Sequence, residues 1–429
     1  MRIMMLSWEY PPRVIGGLAH HVAELSRALA REGNQVEVIT ALGEGLPEQE
    51  ISEGVTVHRV KPYHGQPLNF FSWMQQLNFA MMEKGAALCR QDKFDLVHAH
   101  DWLVAYAGRG LKHIYHLPLM ATIHATEYGR NNGLHNREQF YISEVEWWLT
   151  YEAWKVICCS QFMREELEQI FLLPGDKIEV IVNGIRPEAF QVEAADQAFR
   201  ERYAASGEKL IFFIGRLVRE KGVQVLLEAL PAIREQVPGV RLVIAGRGPY
   251  EQELYHLTSR LGLEGSVHFA GYIDEESRNQ LYASADVAVF PSLYEPFGLV
   301  ALEAMATGAP VVVGNCGGFI ETVQHGVNGL WAECGQADDL SRQVCRILLN
   351  YEYGRQLSGR ALTDIREKFS WEAVARKTEE VYQAVVFSTE ARRWRAEPDR
   401  PGLPEQAVPG ASVETPPGRY TSYAEFARR

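Results

Sequence analysis

Residues 295–314 read EPFGLVALEAMATGAPVVVG: a loop, a helix, a turn and a strand in succession. A strand-like run, DVAVFPS (Asp286 to Ser292), comes just before, and Pro296 and Gly298 shape the turn. Leu299, Leu302, Met305 and Ala306 give the helix an apolar face, and Gly308 stands where it stops. Two carboxylates follow from this layout. Glu295 lies at the mouth of the loop, and Glu303 lies about two helical turns further on. Between them, the backbone N–H groups of Phe297, Gly298 and Leu299 sit at a helix N-terminus without intrahelical partners, an arrangement suited to an anion. One loop thus offers carboxylates for sugar hydroxyls beside a seat for phosphate. The plain alternative is a capping carboxylate and a surface glutamate, and spacing alone does not separate the two.

Outward from this stretch the chain alternates strands and helices. RIMMLS, QVEVIT, VTVHRV, DLVHAH, LMATIH, KVICCS and IEVIV are short apolar runs, most of them separated by helical patterns such as LAHHVAELSRALAREG. That alternation predicts a parallel sheet covered by helices. It restarts with KLIFFIG, VRLVIAG, VHFAG, DVAVFPS and PVVVG. The expected fold is therefore α/β, with two Rossmann-like doubly wound domains facing across a cleft. The expected boundaries are residues 1–185, a connector over 186–207, and a second domain over 208–370. A helix follows over 371–387, and the Pro- and Gly-rich residues 388–429 read as a flexible tail. Ligands of such sheets sit at the carboxyl ends of the strands.

Composition narrows the function. The chain has 429 residues, 46% of them hydrophobic, room for two domains with sizeable cores. No apolar run approaches the roughly 20 residues of a membrane span, and MRIMMLSWEY lacks a signal-peptide layout, so a cytoplasmic protein is expected. A net charge of −12 argues against nucleic acid as a partner. Residues 1–185 carry 16 basic against 22 acidic side chains, which gives no support to an anionic lipid surface. Six cysteines show neither metal-ligand nor redox spacing. His98 and His100 share a strand face and can bind metal, but a third and fourth ligand are not evident, which favours a structural role. No metal site is expected.

Further motifs fall at predicted strand ends. In PPRVIGG, Gly16 and Gly17 let the backbone approach a phosphate or sugar at a helix start, though the pattern is also that of a plain turn. HAHDW sets Asp101 just past a strand, with Trp102 as a candidate sugar platform; the alternative for Asp101 is a helix cap. TIHATEYG ends a strand at His124, with Glu127 and Tyr128 in the loop behind it. FFIGRLVREKG brings Arg216 and Lys221 to a helix start, where two cations can hold a diphosphate. GRGPYEQEL adds Gly248, FAGYID adds Tyr272 and Ile273, and Gly317-Gly318 reads as a packing turn. The aromatics of REQFYISEVEWWLTYEAWK (Phe140, Tyr141, Trp147, Trp148, Tyr151, Trp154) are expected mostly in the core.

Together these motifs resemble the retaining glycosyltransferases of the B fold, family 4, near the branch of glycogen and starch synthases. The resemblance spans residues 1 to about 385 and centres on Glu295 and Glu303, which match the family's paired glutamates. It implies a nucleotide-sugar donor, ADP-glucose or UDP-glucose, and a carbohydrate acceptor such as an α-glucan, with no cofactor. Arg216 and Lys221 then grip the leaving diphosphate. Glu303 binds the ribose, and Glu295 with the backbone of Phe297, Gly298 and Leu299 binds the donor sugar. Gly16 and Gly17 face the donor, His124 and Asp101 orient sugar hydroxyls, and Gly248, Tyr272 and Ile273 lie near the nucleotide. His21 matches a histidine that often follows the glycine loop, and the helix after residue 370 returns to the first domain. One departure stands out: Val14 occupies the place of a lysine in bacterial starch synthases. A lipid-linked or small-molecule acceptor is the alternative within the family, and a noncatalytic sugar-nucleotide-binding protein is the alternative outside enzymes.

Overall fold

The computed structural model describes residues 1–63, 66–192 and 196–396. Its first sheet contains β1 (Arg2–Leu6), β2 (Gln35–Ala41), β3 (Gln49–Ser52) and β4 (Val55–Val60). It continues with β5 (Leu96–His100), β6 (Leu119–Ile123), β7 (Lys155–Cys158) and β8 (Ile178–Val180). The spatial order is β3-β4-β2-β1-β5-β6-β7-β8, parallel throughout except for β3 against β4. The second sheet holds β9 (Leu210–Ile214), β10 (Arg241–Ala245), β11 (Val267–Gly271), β12 (Val287–Phe290), β13 (Val311–Gly314) and β14 (Leu330–Ala332). Its order is β11-β10-β9-β12-β13-β14, all parallel. Helices cover both sheets. The chain is thus built from two Rossmann-like, doubly wound units.

The strands follow from their composition. Runs such as LIFFI and VVVG are apolar at every position because a parallel sheet is covered on both faces, and nearly all of these residues are fully buried. The polar QEIS of β3 is different. It alternates between exposed and partly covered positions at the sheet edge, so no apolar run marks it in the sequence.

Chain order turns around at two places. In the first sheet β1 lies between β2 and β5, and in the second β9 lies between β10 and β12. Each is a switch point where loops leave in opposite directions and open a crevice at the carboxyl ends of the strands.

The Trp371–Val386 helix packs on the first unit. Trp371, Val374, Ala375, Tyr382, Val385 and Val386 share one buried cluster with Ile3, Met5, Val22 and Leu29. Each large side chain buried there contributes about 1.5–3 kcal/mol at most. At the crossing point Ile185 N donates to Phe369 O, and a Cβ on Gly184 would lie 2.7 Å from the Trp371 ring.

One sequence expectation needs correction here. The flexible tail anticipated from Ser388 does not start there, because Thr389–Ala396 is a helix. Ala391 is buried, Trp394 packs against His113 and His116, and Arg395 donates to Asp95 O, which fixes this turn on the first unit. The rest of that segment, residues 397–429, lies outside the described residues. The connector over 186–207 has local order of its own. It carries short helices at Pro187–Phe190 and Gln197–Glu201, whose Phe190 and Phe199 are buried; its residues 193–195 are outside the described set.

Candidate active site

The loop after β12 carries Glu295, and its shape is set by backbone contacts rather than by side chains. Gly317 and Gly318 run so close beneath it that a Cβ on Gly317 would meet Glu295 O at 2.0 Å, and Gly318 N donates to that same oxygen at 2.7 Å. The expected packing turn at this glycine pair therefore braces the loop itself. Gly298 caps the Leu299–Ala306 helix at φ +97°, a left-handed conformation that glycine adopts without strain. Phe297 is buried against Phe369, so the free N–H groups at the helix start are held on an anchored backbone.

Lys221 reaches this loop from the β9 side. Its Nζ lies 2.7 Å from Glu295 Oε2, and Ser292 Oγ donates to the same carboxylate oxygen at 3.2 Å. Lys221 ends a 3-10 turn, and Gly222 follows at φ +70°. A Cβ there would sit 1.8 Å from Pro291 O, so only glycine lets the two loops touch. Arg216 follows β9 and is exposed, and its side chain makes no hydrogen bond or ion pair among the described residues, while its carbonyl accepts from Val218 N. Gly248 packs against Leu217, where a Cβ would lie 2.2 Å from the carbonyl oxygen. Tyr272 is 78% exposed and Ile273 half-buried in the loop after β11.

Glu303 lies on the Leu299–Ala306 helix and accepts a hydrogen bond from the buried Tyr282 hydroxyl at 3.2 Å. Removal from water pushes its carboxyl up from the ordinary range. Glu295 and Glu303 thus both belong to the second unit's crevice, and one of them is held by a lysine.

Residues of the first unit close the other side. Gly16 caps the Gly17–Arg31 helix, and Glu9 Oε2 accepts from Ile15 N at 2.6 Å and from Gly16 N at 3.3 Å. Burial raises the Glu9 carboxyl to about 7. A Cβ on Gly17 would lie 3.2 Å from Leu299 Cδ1, so the glycine loop directly faces the Glu295 loop. Asp101 holds φ +63° and ψ 171°, a strained backbone for a non-glycine residue, worth about 1–3 kcal/mol. Its Oδ1 accepts from His124 N at 2.8 Å, and burial lifts its carboxyl to about 6. His124 Nε2 lies 3.3 Å from His100 Nδ1, and loss of water lowers the ring to about 3, helped by the charge of Arg130.

Several contacts join the two units across this crevice. Tyr294 Oη donates to Glu166 Oε1 at 2.9 Å and lies 3.3 Å from Thr126 N. Ser160 Oγ donates to Pro296 O at 2.6 Å, and Glu321 accepts from Gln161 N and Phe162 N. Tyr294, Glu9, Glu166 and Asn183 were not singled out from the sequence as site residues. Tyr294 stands directly before Glu295, and Glu9 lies in the loop before the paired glycines, so both were within reach of motif reading.

Two aromatic expectations change. Trp102, the candidate sugar platform, is 4% exposed beneath Phe70 and Phe71, so it is core. The aromatic helix Arg137–Glu152 instead turns Phe140, Trp147 and Tyr151 outward and covers the sheet with Val145, Leu149 and Thr150. The aromatic surface near the crevice is Phe70, 47% exposed and stacked on Trp73 at 5.8 Å, with Arg13 over Trp73 and Trp8. Of the histidine pair on β5, His98 is structural, bonded to Tyr382 Oη and Thr122 Oγ1.

Residues 195–363 match the family described as glycosyl transferases group 1, and residues 15–189 match Glycosyltransferase Family 4. An uncharacterized glycosyltransferase of Methanocaldococcus jannaschii is 41% identical over 390 residues, covering 90% of this chain and 99% of the relative. A glycogen synthase of Mycobacterium tuberculosis is 36% identical over 429 residues, covering 95% of this chain and all of the relative. The catalytic domain of starch synthase IV from Arabidopsis thaliana, bound to ADP and acarbose, superposes with a TM-score of 0.75 at 20% identity, over 90% of this chain and 99% of that one. No helix of the described residues is long and apolar enough to cross a membrane. The chain belongs to the glycosyltransferases of the B fold, among those similar to glycogen and starch synthases.

Proposed function

We propose that the chain transfers a glucosyl group from ADP-glucose or UDP-glucose to the non-reducing end of an α-1,4-glucan, with retention of configuration and without a catalytic metal. The observation that carries this reading is the meeting of two crevices. Lys221, Glu295 and the free N–H groups before Leu299 stand on one side, and Gly16, Gly17, Asp101 and His124 on the other. Likeness to a glycogen synthase over nearly the whole chain supports the glucan. Exposed Phe70 on Trp73 supports it too, since an aromatic face suits the apolar face of a neutral pyranose.

In this mechanism the diphosphate lies against Arg216, Lys221 and the start of the Leu299–Ala306 helix, where charge that develops as the C1–O bond breaks is stabilised. Glu303 accepts from the ribose hydroxyls, and Glu295 and His124 orient the sugar. The acceptor hydroxyl attacks C1 from the face the phosphate leaves, and its proton passes to the departing phosphate oxygen. Contacts such as Tyr294 to Glu166 keep the units together and water out during transfer.

The test is nucleotide release from ADP-, UDP- and GDP-hexoses by purified, chelated protein, with and without maltooligosaccharides. Chains lengthened by single hexoses and trimmed back by an α-1,4-specific exoglucanase are expected. Unextended glucan with glycosylation of a lipid extract or a small sugar phosphate would overturn the acceptor. A strict need for added magnesium or manganese would overturn metal independence. No turnover with any donor would favour a sugar-nucleotide-binding protein.

A further inference from the structure

His124 belongs to a group of three imidazoles, two of which, His21 and His100, have no part in the proposed transfer. His21 comes from the first helix, His100 from the end of β5 and His124 from just past β6. One ring nitrogen from each lies within 4.8 Å of the other two. The His21 and His124 rings are 4.6 Å apart at their centroids. His100 Nδ1 and His124 Nε2 are 3.3 Å apart, which equals the ligand-to-ligand edge of about 3.3 Å in a tetrahedral site with Zn–N bonds of about 2.0–2.1 Å.

Two further observations point to a ligand. His21 is 4% exposed, yet its Nε2 has no hydrogen-bond partner, an unusual state for a buried polar atom. His21 is also already oriented. Its Nδ1 lies 2.8 Å from Asn183 Oδ1, so Nδ1 carries the proton and Nε2 presents a lone pair. Metal-bound histidines are commonly held this way, with an oxygen behind the ring that fixes the tautomer. Burial keeps all three rings uncharged, the form that binds metal.

The geometry points to a three-histidine site for a zinc-class divalent metal, formed by His21, His100 and His124, that inhibits the enzyme when filled. The metal takes the place of the proton between His100 Nδ1 and His124 Nε2, and the ring that donated it binds as its other tautomer, with the proton on the far nitrogen. Three imidazoles leave one position open toward the crevice for water. Inhibition rests on the proposed role of His124 toward the donor sugar, because a metal-bound His124 cannot turn to a hydroxyl. Metal binding does not rest on it.

Chelator-stripped protein titrated with Co²⁺ is expected to develop the visible bands of tetrahedral cobalt at one equivalent per chain, and Zn²⁺ to abolish them. His100→Gln and His21→Gln should each weaken binding at least about tenfold. Zn²⁺ should raise the melting temperature of the wild type but not of His100→Gln, a readout independent of turnover. With donor and acceptor present, Zn²⁺ should inhibit the wild type and spare His100→Gln. No cobalt bands in the wild type, or binding unchanged in both variants, would overturn the site. Binding with undiminished turnover would overturn the inhibition. A chain inactive with every donor would sink the proposed function while the cobalt titration still decides the metal site.

Discussion

Lys221 Nζ lies 2.7 Å from Glu295 Oε2, so the residue expected at the leaving diphosphate is paired with the residue expected at the transferred sugar. The pair joins the loop after β9 to the loop after β12 across the switch point of the second sheet. Binding a diphosphate beside Lys221 brings a second anion to the same ammonium, which then serves phosphate and carboxylate together. Lys221→Ala should lower turnover by about 10²–10³-fold. Because both residues act through one contact, the Lys221→Ala/Glu295→Gln double variant should lose less than the product of the two single losses. Fully multiplicative losses in a double-mutant cycle would separate the two roles.

Glu303 has a different environment, one tyrosine hydroxyl and, among the described residues, no cation within hydrogen-bonding distance. Its expected partner is the ribose, far from the bond that breaks. Glu303→Gln should raise the donor KM by roughly tenfold, the worth of about 1.5 kcal/mol for one strong hydrogen bond, and leave kcat within about threefold. A loss confined to kcat would assign Glu303 to the reacting sugar instead.

Tyr294 ties the Glu295 loop to the first unit through Glu166 and Thr126. Tyr294→Phe removes the hydroxyl but keeps the buried ring. The cost in stability should be about 0.5–1.5 kcal/mol, read as a shift in urea midpoint. If the contact holds the units closed during transfer, nucleotide release without acceptor should rise relative to glucan extension. An unchanged ratio would make Tyr294 a packing residue only.

The division into two sheets was legible because most of the buried strands are short apolar runs bounded by turns, although the three-residue β14 (Leu330–Ala332) is too short to announce itself. Loops at strand ends were legible as well, since Gly222 and Gly317 mark close backbone approaches and Gly298 a left-handed turn under the Phe319 ring, all of which favour glycine. What the sequence did not carry was long-range pairing. His21 and Asn183 are 162 positions apart, and His98 meets Tyr382 across 284 positions, so no local pattern announces either contact. Aromatic burial was misjudged for a related reason. Trp147 and Tyr151 lie on the helix face away from the sheet, and residue type alone does not say which face that is.

Acid stability has a specific source in Glu152. Burial pushes its carboxyl up, but the hydrogen bond and charge of Lys112, with hydrogen bonds from Arg109 and His113, outweigh burial and hold it at about 2. The folded value lies below the unfolded one, so this contribution is fully present above about pH 4.5 and is lost as pH falls toward about 2. Glu152→Gln should therefore cost stability at neutral pH and flatten the decline on acidification, measured by urea midpoints across that window. A variant with the same acid slope as the wild type would place the loss elsewhere.

The acceptor surface offers the last test. The Phe70–Gln91 helix starts after β4 with Asn69 and Ser72 in a capping box, which fixes Phe70 and Trp73 at the carboxyl edge of the first sheet. Their rings stack within 18° of parallel, and Arg13 packs over Trp73 from the glycine loop. A half-exposed ring held this way can lie against a sugar without losing much side-chain freedom. Phe70→Ala removes a half-exposed ring that also touches Trp8, Trp73 and Trp102, so the fold should persist at a modest cost in stability. The acceptor KM should rise by roughly two- to tenfold, matching about 0.5–1.5 kcal/mol for one aromatic contact. Donor KM should stay unchanged, because the nucleotide crevice belongs to the other sheet. The effect should grow with maltooligosaccharide length if the platform lies several sugars from the reacting end. Equal changes in donor and acceptor KM would point to a shift of the glycine loop through Arg13, and no change at all would move the glucan to another face of the first unit.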